Sequence, residues 1–490
     1  MNTIDQSTLA PSKRVPNSCF VVDQALQNSF IAHYRCCTKS MQTTRVWSGK
    51  KVVERLRRRW RFPFGLQRFI TSTSHRPSSR ADSEIPSSNT MASPPWLTKA
   101  VVNPEYWDRV LSVLTSREGQ REQARDMSRH KDLYAPRRVR QRNPSVSISH
   151  LPKEALQHYS VEIGSRSEHL RRNRYYQLEP YDRTRVTVSE DAQVSDEPEG
   201  RYLNANWVRE LHGGKWWIAS QAPLPNTAHA FLSIMMQPET RPPKELCDDG
   251  ETGPCRVRTV VQLTNAEEGG RIKAHPYFPS EVGESIVVPS EDESNAPSLR
   301  ITLQSKKANK EAHCIQSTVQ LVHCTDDGEL IPNDQEGGVT FSHMLYTAWP
   351  DFGVPSPEDR ASLLAFIRFV HTVNRDSPPG AHPDPPMIVG CSAGVGRTGS
   401  FISLCSLLRS SGLLLPCYPP TKSSDFPPLP PSPLGPLPPE IQRDLAALEI
   451  DSLREQRVSM VQRPEQQLLV YELLHTAFLQ APVEETGGAE

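Results

Sequence analysis

The sequence predicts an α+β fold in which helices flank one mixed β-sheet. Three observations carry that prediction. Short β-rich runs recur at Trp216 to Ala219, Arg258 to Leu263, Leu299 to Leu303, Gln316 to His323 and Gly338 to Tyr346. Helical spacing follows, in the segment carrying Leu363, Leu364, Phe366, Ile367 and Val370, at Phe401 to Leu408 and at Glu465 to Leu479. Runs of strands followed by runs of helices indicate α+β layers. No internal repeat is visible and no window approaches the ~18 uninterrupted apolar residues of a membrane span, which sets aside collagen-like, fibrous and membrane-spanning classes.

At 490 residues the chain exceeds what one core usually holds, since single domains rarely pass about 250–300 residues. It reads as one large domain over 95–483 with appendages at 1–94 and 484–490 and a proline-rich insertion over 413–440. The 45 prolines, roughly twice the usual 5% share, place part of the chain outside the core. Net charge is balanced at 56 basic against 56 acidic residues, but Met1 to Arg80 holds fifteen Lys or Arg against three acids. That Ser- and Arg-rich stretch, with its cluster at Arg55, Arg57, Arg58, Arg59 and Arg61, reads as a disordered, solvated tail. Its composition also suits a nucleic-acid or membrane-surface patch, a nuclear address or an organelle transit peptide. Met91 begins a segment that could serve as an alternative start.

From Pro95 the text becomes globular, with a helical pattern through Trp107, Val110, Leu111 and Leu114, and the strand and helix runs named above follow. Pro416 to Pro439 holds eleven prolines in twenty-four residues and must run as extended chain. The plain reading is a solvated excursion that a Gly/Ser linker could replace without loss of stability. The P-x-x-P steps at Pro427, Pro430, Pro433 and Pro436 also suit a polyproline-recognition domain. Ten cysteines without a C-x-x-C pair, and no secretory signal before them, argue against a zinc site or a disulfide framework and favour a reducing compartment. The expected location is the cytoplasm, with the nucleus or an organelle as the other destinations such a tail can encode.

The chemistry concentrates in MIVGCSAGVGRTGSFISLCSLL, Met387 to Leu408. An apolar run ends in a Gly-rich turn and a helix follows. Ser392, Ala393, Gly394, Val395 and Gly396 let consecutive backbone N–H groups point inward, forming an anion nest at a helix N-terminus, and Arg397 adds a fork for two phosphate oxygens. The same features depress the pKa of Cys391. A dinucleotide loop through Gly394, Gly396 and Gly399 needs an acidic residue about twenty positions on, which falls in the proline tract. Phosphoryl transfer to sulfur also needs a proton donor for the departing oxygen, and Asp351 in YTAWPDFGVPSPEDRASLLAF supplies one.

With these segments together the sequence resembles the classical, phosphotyrosine-specific protein tyrosine phosphatase family from about Asn173 to Leu479. The C-x5-R loop with Thr398 behind it, the Trp349-Pro350-Asp351 loop, NRYYQLEPYDRTRV, RYLNANWV, SQAPLPNT and VQRPEQQ occur in the family's order. The resemblance implies the family's highly twisted mixed sheet and hydrolysis of phosphotyrosine in proteins through a cysteinyl phosphate, with no metal or other cofactor. Cys391 would be the nucleophile, Arg397 the phosphate clamp, Thr398 the hydrogen-bond donor to sulfur and Asp351 the general acid and base. Gln462, with Gln466 nearby, would position water, Lys273 would bond the aspartate of the closed lid, and Tyr175 would wall a deep pocket. Phosphotyrosine proteins are the expected partners, with no nucleic acid for the catalytic domain. A dual-specificity phosphatase and a catalytically silent phosphotyrosine-binding module are the alternatives.

Three departures from the family pattern stand out. Gly390 precedes the nucleophile where the family usually has histidine, Gln177 replaces an aspartate that contacts the substrate main chain, and Leu232 replaces a tryptophan. Gly390 should leave Cys391 activated mainly by the helix N-terminus, the nest and Arg397, and histidine there should lower the thiol pKa further if the loop has room.

Overall fold

The computed structural model describes residues 92–130, 151–189, 200–243, 246, 255–291, 294–331, 338–351, 353–376, 378–418 and 429–481. The tail over 1–91, Met91 and Pro427 lie outside the described residues.

The centre is a nine-stranded mixed sheet in the order β1-β2-β3-β11-β4-β10-β9-β8-β7. Its strands are β1 Arg185–Val188, β2 Arg201–Arg209, β3 Trp216–Gln221, β4 Thr259–Gln262, β7 Ser285–Val288, β8 Ser298–Asn309, β9 Cys314–Cys324, β10 Val339–Tyr346 and β11 Met387–Cys391, while β5 Glu267–Glu268 and β6 Arg271–Ile272 form a separate small ribbon. The four central strands β3, β11, β4 and β10 run parallel, and both flanks are antiparallel. The expected β-runs all fall on strands of this sheet.

Period-two alternation sends side chains to two cores. In β11, Met387 and Val389 join the core beneath the C-terminal helices, and Ile388 joins the opposite one. The first core is closed by α1 Pro95–Val102, the front of α2 Pro104–Arg129, α5 Arg360–Arg375, α6 Gly396–Ser410, α7 Leu445–Gln456 and α8 Pro464–Gln480. The second is closed by α4 Ala228–Met236, buried along its whole length, so Leu232 is a core residue there. The short helix α3 is Lys153–His158. α5 buries Leu363, Leu364, Phe366, Ile367 and Val370 as the sequence spacing predicts.

Two features differ from expectation. The rear half of α2 is buried through arginines: Arg117, Arg121, Arg125 and Arg129 stand one turn apart and bond Asp451, Glu455, Glu118 and Glu179. The described end of the proline tract is also packed on the domain. Arg117 donates to the carbonyls of Leu434 (3.2 Å) and Gly435 (2.9 Å), and Ser432 Oγ donates to Glu455 at 2.9 Å. Leu437 is buried, and Leu434 packs against a cluster containing Tyr159, Tyr181 and Val395. From Leu429 onward the tract is therefore a strapped segment, because buried arginine and carboxylate groups need its polar atoms as partners.

Candidate active site

β11 delivers Cys391 to the carboxyl end of the parallel strands, a buried position next to Gln221 of β3. The chain then turns through Ser392 to Val395 and enters α6 at Gly396. The turn demands glycine at 394: its φ is 70°, and a Cβ would stand 2.2 Å from the carbonyl oxygen of Ser220. Arg457 props the loop from behind, donating to the carbonyls of Gly394 (2.7 Å) and Ala393 (3.2 Å) and to Asn206 and Asn204. Tying the carbonyls back leaves the N–H groups of the turn facing the other way, as an anion nest requires.

Burial pushes the Cys391 thiol up, but the charge of Arg397, the Thr398 hydroxyl and the backbone N–H groups of Thr398 and Val395 outweigh it, so the thiol lies below its ordinary value. Arg457 is pulled down to about 10 by burial, against the upward effect of the Cys391 charge. Arg397 is gripped by Glu268: Nη1 donates to Oε1 at 2.8 Å and Nη2 to Oε2 at 2.7 Å, with the carbonyl of Leu263 at 2.9 Å from Nη1. Burial raises the Glu268 carboxyl, but hydrogen bonds and charge from Arg397 and bonds from Thr264 and Asn265 hold it below its ordinary value. The grip leaves Nε and the second hydrogen of Nη2 for an incoming oxyanion.

Asp351 lies over this loop, its Oδ2 2.7 Å from Lys273 Nζ and its Oδ1 3.4 Å from Arg397 Nη2. The buried Trp349 anchors that segment, donating Nε1–H to the carbonyl of Gly353 at 3.1 Å. Ser392 Oγ donates to the carbonyl of Lys273 at 2.7 Å, so its hydroxyl contact with Tyr175 at 2.8 Å has Tyr175 as donor. Tyr175 is half-buried beside the loop, and its segment is fixed by Arg174 to the carbonyls of Ala222 and Pro223 and by Gln221 Oε1 to the Arg174 N–H.

Residues 169–412 match the family model described as protein-tyrosine phosphatase. The human receptor-type tyrosine-protein phosphatase H is 31% identical over 260 residues, 52% of this chain and 19% of that protein. The Caenorhabditis elegans tyrosine-protein phosphatase Lar-like is 30% identical over 256 residues, 52% of this chain and 9% of that protein. The human tyrosine-protein phosphatase non-receptor type 7 is 30% identical over 248 residues, 50% of this chain and 55% of that protein. The chain belongs to the classical protein tyrosine phosphatase family. It spans between about a tenth and about half the length of these relatives.

Within this phosphatase domain the structure brings Cys391, the nest from Ser392 to Gly396, Arg397, Thr398, Asp351, Lys273 and Tyr175 together. Gln462 is exposed at the edge, on a segment whose Val461 takes φ 52° and donates its N–H to the carbonyl of Val395 at 3.2 Å. Gln466 caps α8, accepting from the Arg463 N–H at 3.1 Å, and its amide lies against Gly396. Gln177 takes φ 66° and donates its N–H to Glu179 at 3.2 Å. Sequence reasoning missed Glu268 and Arg457. The first stands in EEGGRIK, five residues before Lys273, and a buried guanidinium at 397 calls for such a carboxylate. Arg457 carries no sequence signal of its own. Among the described residues no group of three or more His, Cys, Asp or Glu could hold a metal, and no helix is long and apolar enough to cross a membrane.

Proposed function

We propose that this chain hydrolyses phosphotyrosine in proteins. The observation that carries the reading is one Gly-rich loop at which a depressed thiol, the Arg397 guanidinium and the carboxyl of Asp351 meet. The phosphoryl group enters the nest and takes the Nε and Nη2 hydrogens of Arg397, displacing Asp351 from its 3.4 Å contact. Cys391 Sγ attacks phosphorus as the P–O bond to the ring breaks, and Asp351, protonated, gives its proton to the phenol oxygen. Thr398 then donates to sulfur as the leaving group. A water held by Gln462 and Gln466 attacks the phosphocysteine, Asp351 takes its proton, the P–S bond breaks, and inorganic phosphate leaves with the thiolate restored. Lys273 steadies Asp351 over the site, and the Tyr175 ring walls a pocket that suits a tyrosyl rather than a seryl phosphate.

The catalytic domain is assigned to 95–483, carrying the insertion at 413–440, with a signalling role in the cytoplasm. Cys255, Cys314, Cys324, Cys391 and Cys405 form no disulfide, which supports a reducing compartment. A polyproline-recognition domain remains a candidate partner for the exposed Pro430, Pro431 and Pro436.

The test uses Cys391→Ser and Asp351→Ala on phosphotyrosine peptides. The serine variant should lose turnover but keep peptide binding, because the nest and Arg397 survive. Asp351→Ala should slow turnover by about 10² to 10⁴, and as a trap it should capture the substrate from cells. Phosphoserine peptides should be far poorer substrates than phosphotyrosine peptides. A serine variant as active as wild type would overturn the assignment.

A further inference from the structure

The tip of the β8–β9 hairpin touches both ends of the segment that carries Asp351. At the near end, Thr347 follows β10 directly and donates both its N–H and its Oγ1 hydroxyl to one acceptor, the carbonyl of His313, each at 3.0 Å. At the far end, Asp359 stands just before α5, and its Oδ1 lies 3.4 Å from Nδ1 of the same His313. Asp359 is itself well anchored. Its Oδ2 accepts from Ser356 Oγ at 2.8 Å, and its carbonyl accepts from Tyr346 Oη at 3.3 Å and Ser362 Oγ at 2.7 Å. His313 takes φ 40°, a left-handed conformation that costs a non-glycine residue energy and needs surrounding contacts to hold it. Those contacts are the turn bond from its own N–H to the carbonyl of Lys310 at 3.3 Å and the bond from the Ala312 N–H to Asn309 Oδ1 at 3.1 Å.

We propose that His313 is a positioning residue for the general acid, a latch through which the hairpin tip grips both hinges of the Asp351 loop. The proposal rests on reading Asp351 as that acid. A loop covering the phosphate site must open for substrate and product to pass, and its hinges are where the backbone change is absorbed. Holding Thr347 by the backbone and Asp359 by the side chain of one residue fixes the distance between the hinges, and with it the height of Asp351 above Cys391. The imidazole and carboxylate side chains are 42% and 32% exposed, so the pair biases the loop without locking it.

The experiment compares wild type, His313→Asn, Asp359→Asn, the double variant and Asp351→Asn. Asparagine tolerates left-handed backbone, so the hairpin turn and the carbonyl bonds to Thr347 are retained. The readout is kcat/KM on aryl phosphates whose leaving phenols range from phenol to dinitrophenol. Dinitrophenolate departs without a proton, so acid placement matters only at the phenol end. Each single variant should lose about two- to five-fold on phenyl phosphate, the range a part-exposed pair carries, with dinitrophenyl phosphate unchanged and the double variant no worse than either single. Equal loss on both substrates, or none on either while Asp351→Asn is strongly impaired, would overturn the latch alone. A wild type with the leaving-group dependence of Asp351→Asn would overturn the acid assignment and the latch with it.

Discussion

A Cβ on Gly390 would stand 2.7 Å from the carbonyl oxygen of Ser220 on the neighbouring strand. Real Cβ atoms do not approach backbone oxygen that closely, so β3 and β11 would have to part where they deliver the nucleophile. The adjoining cavity, lined by Gly390, Cys391, Gln262 and Tyr277, measures about 20 Å³, room for about one water and too little for an imidazole. The expectation that Gly390→His would lower the thiol pKa further requires room for the ring, and that room is missing. Gly390→Ala should already cost about 1–3 kcal/mol by overpacking, read as a drop in thermal midpoint, and Gly390→His should cost more and lower activity. A histidine variant as stable as wild type, with a more acidic thiol by alkylation rate, would contradict this. The thiol residue itself was legible because Cys391, its nest and Arg397 are contiguous in sequence. Glu268 and Arg457 were not, because each reaches the loop from a separate element and only folding makes them neighbours.

At the scale of elements, α2 explains where periodicity fails as a guide. Its first half reads as a helix through Trp107, Val110 and Leu114, all buried, whereas its second half is buried through arginines, which a hydrophobic pattern scores as surface. The same blind spot made the proline tract look solvated, since its anchors are charged groups, the carboxylate of Glu455 on α7 and the guanidinium of Arg117, which is far away in sequence. Arg117 also bonds Asp451 through Nε at 3.0 Å, so it staples the tract, α2 and α7 together. Removing one partner of a buried pair costs about 3–5 kcal/mol, and Arg117→Ala should lower the chemical-denaturation midpoint accordingly. Replacing Leu429 to Pro439 by a Gly/Ser linker should also destabilise, by taking the Leu434 carbonyl from Arg117 Nη1, one of several donors from Glu455, and the buried Leu437 side chain from the core. Unchanged stability in the linker variant would show that the packed contacts contribute nothing.

Across the whole molecule, buried carboxylates set opposite limits on pH stability. Burial raises Glu455, but bonds from His158 and Arg121 and the Arg121 charge bring it down to about 2. Its folded value lies below the ordinary carboxyl value, so its stabilisation is complete above about pH 4.5 and is lost as pH falls toward 2. Glu449 does the reverse. It joins α7 to α6 and to the turn after β2, accepting from Ser406 Oγ at 2.6 Å and from the N–H groups of Leu211 and His212 at 3.2 Å. Burial pushes it up to about 8; the bonds from Ser406, Leu211 and His212 oppose the rise, and the charge of Glu210 adds to it. Between the unfolded carboxyl value and about 8 the folded chain holds one proton more than the unfolded chain, so stability falls as pH rises through that window. Glu449→Gln removes this titration while keeping a side chain of the same shape. The stability of wild type relative to Glu449→Gln should therefore fall from pH 5 to pH 8 with a slope on the order of 1 kcal/mol per pH unit. Denaturation of both proteins at several pH values measures it, and a difference that stays flat across the window would mean that Glu449 is ionised in the folded chain.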